Sequence, residues 1–181
     1  PAARVRRAAM LTGDLGQTAY LALGQHGPGL DDVQLEVLRP VLPMLAGSAE
    51  SVTDALERTG RASVEWKLDG ARIQVHRAGD DVRVFTRNLN DITTRLPEVV
   101  ELVRAMPVDD IVLDGEAIGV AEDARPHRFQ DTMRRFSADT VPATSSLRAW
   151  FFDVLRVDGT DLLETPLHDR LDVLARVAER H

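Results

Sequence analysis

Lys67 is the only lysine among the 22 Lys and Arg residues of this chain. It sits in the string Glu65-Trp66-Lys67-Leu68-Asp69-Gly70-Ala71-Arg72. A guanidinium stays charged, whereas an ammonium can lose its proton and become a nucleophile. A chain that draws nearly all its positive charge from Arg has little need of Lys for that purpose. Its one lysine therefore suggests a task closed to Arg, and covalent catalysis through a neutral amine is such a task. Compositional drift is the plain alternative; the K-x-D-G-x-R setting tips the balance toward chemistry.

The string draws an acid, an amine and a guanidinium into a small volume. Glu65 shares the face of Lys67, and the turn Leu68-Asp69-Gly70 delivers Arg72 on the next strand. Gly70 permits a tight turn or a close backbone approach by a ligand. Such a group suits binding and attacking a phosphorylated nucleotide. Deprotonating a free lysine at pH 7 costs about 4–5 kcal/mol. Burial, a neighbouring cation such as Arg72, or a bound metal lowers that cost. Asp69 and Glu65 raise it if they pair with the ammonium. A plain salt bridge of Lys67 to either acid is the competing reading, and for an arbitrary K-x-D-G it wins.

These residues have to be positioned by the elements around them. Residues 3–23 read as helix, interrupted near Thr12-Gly13-Asp14, and 24–29 as loop. Pro40 and Pro43 make 35–46 an extended connector. Residues 48–59 read as helix, stopped by Gly60. The pattern then changes to strand. Residues 63–67 alternate, with Val64 and Trp66 on one side and Glu65 and Lys67 on the other. Ala71, Ile73 and Val75 alternate with Arg72, Gln74 and His76, which predicts a half-buried strand. Gly79-Asp80-Asp81 reads as a hairpin turn into 82–86. Residues 97–106 form a short amphipathic helix with Pro97 in its first turn. Further along come a strand at 111–120 broken by Gly115, a helix at 128–136 and an apolar strand at 147–157 turning at Asp158-Gly159. A last helix, 168–179, carries Leu171, Leu174, Ala175 and Ala178 on one face. The sum is a helical leader followed by an α+β domain of antiparallel hairpins. There is no G-x-x-x-x-G-K-[ST] loop and no G-x-G-x-x-G after a strand, which disfavours the common nucleotide folds.

With 44% apolar and 28% charged residues, the composition is that of an ordinary globular protein. A net charge of −7 argues against coating nucleic acid with the whole surface. Arg4-Val5-Arg6-Arg7 and His127-Arg128 with Arg134-Arg135 remain as local basic patches, read as solvated helix faces. The chain has no cysteine, so disulfides, thiolate metal sites and a Cys nucleophile are excluded. That absence fits a reducing, cytoplasmic setting. No apolar run approaches the roughly 18 residues of a membrane span. His76, His127 and His168 share no ligand spacing and are expected at the surface. The chain starts at Pro1, within a helical pattern, and is expected to be a piece of a longer protein.

Lys67 does not stand alone. The ordered series formed by the Lys67 string, Phe85-Thr86-Arg87-Asn88, Leu113-Asp114-Gly115-Glu116 and Phe151-Phe152-Asp153-Val154-Leu155 resembles the ATP-dependent DNA ligases. These are covalent nucleotidyltransferases, as are capping enzymes and RNA ligases. Gly13-Asp14-Leu15-Gly16 looks like the end of the ligases' helical DNA-binding domain. Arg39-Pro40 through Pro43-Met44-Leu45-Ala46 looks like the segment entering their catalytic domain. The resemblance implies a partial, ATP-grasp-like adenylation domain at 48–181, a connector at 35–47 and the end of a helical DNA-binding domain at 1–34. It implies a lysine–AMP intermediate made from ATP with Mg²⁺, nicked double-stranded DNA as partner, no membrane, and a monomer.

Residue by residue, Lys67 matches the nucleophile and Glu65 the position that recognises the adenine amino edge. Arg72 and Arg87 match basic positions near ribose, phosphate or nick. Glu116 matches the acid that contacts the ribose hydroxyl and helps hold a divalent metal, and Phe152 the aromatic that stacks on adenine. Local readings compete: Phe152 as core in its Trp-Phe-Phe strand, Glu116 as a solvating residue, Arg87 paired with Asp91. The choice of Phe152 over Phe151 rests on the F-D-x-L alignment. No second lysine exists to hold the α-phosphate, no further metal-binding acid is found after Asp153, and the family's OB-fold is absent. The chain alone is therefore expected to be impaired or inactive. An RNA ligase or capping-type enzyme is the same-class alternative. A catalytically silent nucleic-acid-binding module is the other, and there Lys67 is only a salt-bridge residue.

Overall fold

The hairpin forecast at Gly79-Asp80-Asp81 opens a five-stranded antiparallel sheet in the computed structural model, which describes residues 2–24, 29–44, 46–120, 130 and 146–178. Strands β1 (Ala71–Ala78) and β2 (Asp81–Thr86) form that hairpin, with Gly79 taking the positive φ of 58° that the turn requires. Strands β3 (Asp110–Val120), β4 (Ser146–Val157) and β5 (Thr160–Asp161) complete the order β2-β1-β3-β4-β5. Asp158 and Gly159, both at positive φ, make the tight turn between β4 and β5. The α+β expectation is met.

Two helices cover one face of the sheet. Helix α4 (Pro97–Arg104) begins on Pro97, whose missing N–H costs nothing at a helix start. Its Val99 and Val103 join Ile73, Val75, Ile111, Leu113 and Val154 in the main core. Helix α5 (Leu167–Ala178) adds Leu174 and Val177. Each such buried aliphatic contributes about 1.5–3 kcal/mol. Ala175 and Ala178 are exposed, which corrects the forecast face: the seam runs through Leu171, Leu174 and Val177.

Part of the other face is covered by the leader. Helices α1 (Ala2–Thr12) and α2 (Leu15–Leu23) meet at the forecast break, where the Asp14 side chain caps α2 through the Gln17 N–H. Leu11 of α1 packs with Leu35, Val41 and Val112. The connector lies directly on β1: the Leu38 N–H donates to His76 Nδ1 (3.0 Å) and the Val41 N–H to Gln74 Oε1 (2.8 Å). Gln74 and His76 are therefore buried, and β1 is not half-buried. His76, forecast at the surface, is 0% exposed. His168 is exposed, as forecast.

Three further expectations change. Helix α3 (Val52–Thr59) starts later than residue 48, because the Ser51 hydroxyl caps it by accepting from the Asp54 N–H. Gly115 does not break β3; the irregularity lies in the pairing with β4. Residues 63–67 form no strand. No backbone hydrogen bond reaches this segment among the described residues, and a strand needs a partner for its N–H and C=O groups. Trp66 is 93% exposed in consequence. The helix forecast at 128–136 and the basic patch there fall almost entirely outside the described residues.

Burial lowers the His76 pKa from 6.5 to about 4. Since Nδ1 accepts from Leu38, the neutral ring carries its proton on Nε2, which donates to Gln74 Oε1 (2.9 Å). Below pH 6.5 the unfolded chain takes up a proton that the folded chain refuses. The His76 contribution to stability is thus complete above pH 6.5 and is lost as pH falls toward 4, by about 3 kcal/mol in all. Urea unfolding between pH 7 and 4.5 should show a shallower pH dependence in His76→Gln than in the native protein. Equal slopes would refute the linkage.

Candidate active site

The part of the sheet face left uncovered by the leader forms an open cleft of about 1500 Å³. Glu65, Lys67, Arg72, Arg87, Glu116 and Phe152 all line it. Five separate stretches of sequence deliver them: the turn before β1, β1 itself, the end of β2, β3 and β4. The cleft exceeds the roughly 300–1000 Å³ of ordinary small-molecule pockets.

Gly70 fixes the turn beside Lys67. A Cβ there would stand 2.4 Å from the carbonyl oxygen of Ala117 and 3.0 Å from Glu116 Cγ. Only glycine lets this backbone approach β3 so closely. The Gly70 N–H then donates to Glu116 Oε1 (3.1 Å), linking the lysine turn to the acid of β3. Lys67 itself is solvent-facing, with Nζ 3.5 Å from Asp69 Oδ1 and a side chain 85% exposed. An exposed pair of that length contributes about 0–1 kcal/mol, so the amine is easily released to a ligand. Glu65 accepts from the Ser63 hydroxyl (3.0 Å) and makes no bond to Lys67.

Arg72 stands directly opposite Glu116 in the β1–β3 register, yet its guanidinium reaches diagonally to Asp114. The fork is bidentate, Nε to Oδ1 at 3.0 Å and Nη2 to Oδ2 at 2.5 Å. That bond, more than any other influence, raises the Arg72 pKa. Glu116 is left with a carboxylate facing the cleft. Burial raises its pKa, against the opposing pull of the Gly70 N–H, Lys67 and Arg72. Arg87 is exposed and forms no ion pair among the described residues; Asp91 pairs with Arg83 (3.4 Å) instead, which corrects the local Arg87–Asp91 alternative. Of the two arginines, Arg87 is the freer to meet a phosphate.

The aromatic position follows from an irregularity of β4. Gly115 pairs with Phe151 and Asp114 with Asp153, so Phe152 has no partner on β3. This is a β-bulge, which re-aims a side chain. Gly115 makes room for it, since a Cβ there would lie 2.6 Å from the Trp150 carbonyl oxygen. Phe152 turns toward the Arg72 guanidinium, 5.8 Å from the ring centroid, while Phe151 packs on the core. Sequence reasoning left Asp114 without a role, although two acids at i and i+2 on a strand share one face. It also gave no role to Trp150, Asn88 and Asn90, which line the same cleft.

No cluster of three acidic or histidine ligands occurs among the described residues. Asp114 is held by Arg72 and Asp153 by Arg170, whereas Glu116 lines the cleft and forms no ion pair among the described residues. Mg²⁺ takes one or two protein carboxylates and fills its shell with water and phosphate oxygens. Glu116 with a bound nucleotide triphosphate fits that donor set. No helix among the described residues is long and apolar enough to cross a membrane.

Comparison with known proteins finds one family. Residues 43–181 match the family described as ATP dependent DNA ligase domain. The chain is 61% identical over 177 residues to a probable DNA ligase of Pseudarthrobacter chlorophenolicus, covering 98% of this chain and 35% of that protein. It is 56% identical over 187 residues to DNA ligase B of Mycobacterium tuberculosis, covering 100% of this chain and 36% of that protein. Among solved structures, the ligase domain of M. tuberculosis LigD superposes with a TM-score of 0.53 at 28% identity, over 64% of this chain and 36% of that one. The chain spans about a third of the length of the curated relatives it matches.

Proposed function

This chain belongs to the ATP-dependent DNA ligase family, and we propose that it carries the nucleotide-activating part of an enzyme that seals nicks in double-stranded DNA. The observation that supports this reading is the convergence of Glu65, Lys67, Arg72, Arg87, Glu116 and Phe152 on one cleft. In the first step the Lys67 amine attacks the α-phosphorus of ATP. An N–P bond forms, the bond to the bridging oxygen breaks, and pyrophosphate leaves. AMP then passes to the 5′-phosphate of the nick, and the 3′-hydroxyl displaces it.

Each residue has a part that its geometry supports. Phe152 offers an aromatic face to adenine, and Glu65, also lining the cleft, offers an acceptor to the adenine amino edge. Glu116 faces the ribose hydroxyls and would hold Mg²⁺, which when bound neutralises phosphate charge as the attack proceeds. Arg87 meets phosphate. Arg72, its fork committed to Asp114, orients rather than neutralises.

The leader 1–34 serves as the end of the DNA-binding domain, 35–47 as connector and 48–181 as the first part of the adenylation domain. The family match begins at residue 43, within that connector. The 181-residue chain alone is expected to be impaired, because it has no second lysine to hold the α-phosphate.

Incubating the full-length protein with ATP labelled at its α-phosphate, with Mg²⁺, should give an acid-labile, alkali-stable AMP adduct that chelation by EDTA prevents. No adduct would sink the enzyme reading, and sealing of RNA nicks in preference to DNA nicks would move it to the RNA ligases. Phe152→Ala should raise KM for ATP by about ten- to a hundredfold, the loss of one base-stacking platform. Phe151→Ala should act mainly on thermal stability, since that ring packs on the core.

A further inference from the structure

We infer that Arg170, on α5 and outside the cleft, is a positioning residue that sets Phe152 for nucleotide binding by holding Asp153. The inference rests on the reading of the cleft as an ATP site. Arg170 grips Asp153 with both arms of its fork, Nε to Oδ1 at 2.7 Å and Nη2 to Oδ2 at 2.9 Å. Its remaining arm donates to the Thr165 carbonyl (2.5 Å), just before α5. Both side chains are largely buried, 16% and 18% exposed. Asp153 Oδ1 also accepts from the Val154 N–H (2.9 Å), so the carboxylate is tied to its own strand at the residue that follows the bulge.

The consequence lies in the register. Asp153 is the cross-strand partner of Asp114, and Phe152 is the unpaired residue beside it. Directly opposed residues share a face and lie within about 5.5 Å at Cα. Two carboxylates in that relation repel each other unless each has its own cation. Here each has one: Arg72 for Asp114 and Arg170 for Asp153. Arg72 is also the cation over the Phe152 ring. If Arg170 is lost, Asp153 becomes a second anion competing for Arg72. The guanidinium then shifts from its place between Asp114 and Phe152, and the bulge loses its clamp. The damage falls on the stacking position, although the substituted residue touches no ligand.

The test is ATP titration of lysine–AMP formation in the full-length protein, with thermal unfolding measured alongside. Arg170→Gln should raise KM for ATP by roughly ten- to a hundredfold, the scale of lost charge-assisted hydrogen bonds, with the rate at saturating ATP within a few-fold of native. Adding Asp153→Asn to Arg170→Gln removes the unpaired charge and should recover most of that loss. Arg170→Lys keeps the charge without the fork; it should shift KM in the same direction by less, and it serves if Arg170→Gln does not fold. An unchanged KM in Arg170→Lys and Arg170→Gln, or a KM that Asp153→Asn fails to restore, overturns the inference while leaving the ATP site standing. Absence of the AMP adduct in the native protein overturns both.

Discussion

Lys67→Arg should form no AMP adduct above background, with its fold intact. The side chain is 85% exposed and its sole ion pair among the described residues is the 3.5 Å contact with Asp69, so little stability depends on it. Arg keeps the charge and the reach. What it lacks is an accessible neutral form: its pKa lies roughly two to three units above that of Lys, leaving about a hundred- to a thousandfold less free base at neutral pH. A delocalised guanidinium is moreover a poor nucleophile. Labelled-ATP incubation with gel detection checks the adduct, and circular dichroism with thermal unfolding checks the fold. An adduct that persists in Lys67→Arg would place AMP on another residue and remove the central role assigned here.

Gly70→Ala should reduce the rate of adduct formation on the order of a hundredfold or more, although the new side chain is one methyl group and touches no reactive atom. That methyl would meet the Ala117 carbonyl oxygen at 2.4 Å and Ile118 Cγ1 at 2.8 Å, and the oxygen belongs to β3 and cannot yield cheaply. The turn must back away from the sheet. Doing so breaks the Gly70 N–H bond to Glu116 and carries Lys67 with it. Displacing a catalytic group by about 1 Å is enough to cost roughly a hundredfold in rate. Single-turnover kinetics at saturating ATP separates this from a binding defect: the rate should fall more than KM rises. A native-like rate in Gly70→Ala would show that the lysine turn need not be docked on β3.

Much of this site was legible because it is written in short, local signals. A single lysine in an arginine-rich chain singles out Lys67 as the candidate nucleophile, and the ordered motifs around it carry that reading. The hairpin at Gly79, the Pro97 start of α4 and the Asp158-Gly159 turn each depend on a few residues whose backbone preferences act at close range. The ordering of four motifs along the chain identified the family before any contact was known.

What the sequence did not disclose was decided by partners distant along the chain. Alternation in β1 predicted one solvated face, but whether that face meets water depends on what lies over it. The connector lies over Gln74 and His76, while Arg72 lines the open cleft, so one strand face holds both a buried latch and an open site. Residues 63–67 carry a strand-like pattern, yet pattern supplies no hydrogen-bond partner. The Phe152 bulge arises only from the pairing of β3 with β4, and the diagonal Arg72–Asp114 bond only from the pairing of β1 with β3. Sequence by itself determined which residues can do chemistry, since reactivity belongs to side-chain type. Tertiary structure decided which of them are free to do it, since exposure, pairing and charge neutralisation belong to neighbours.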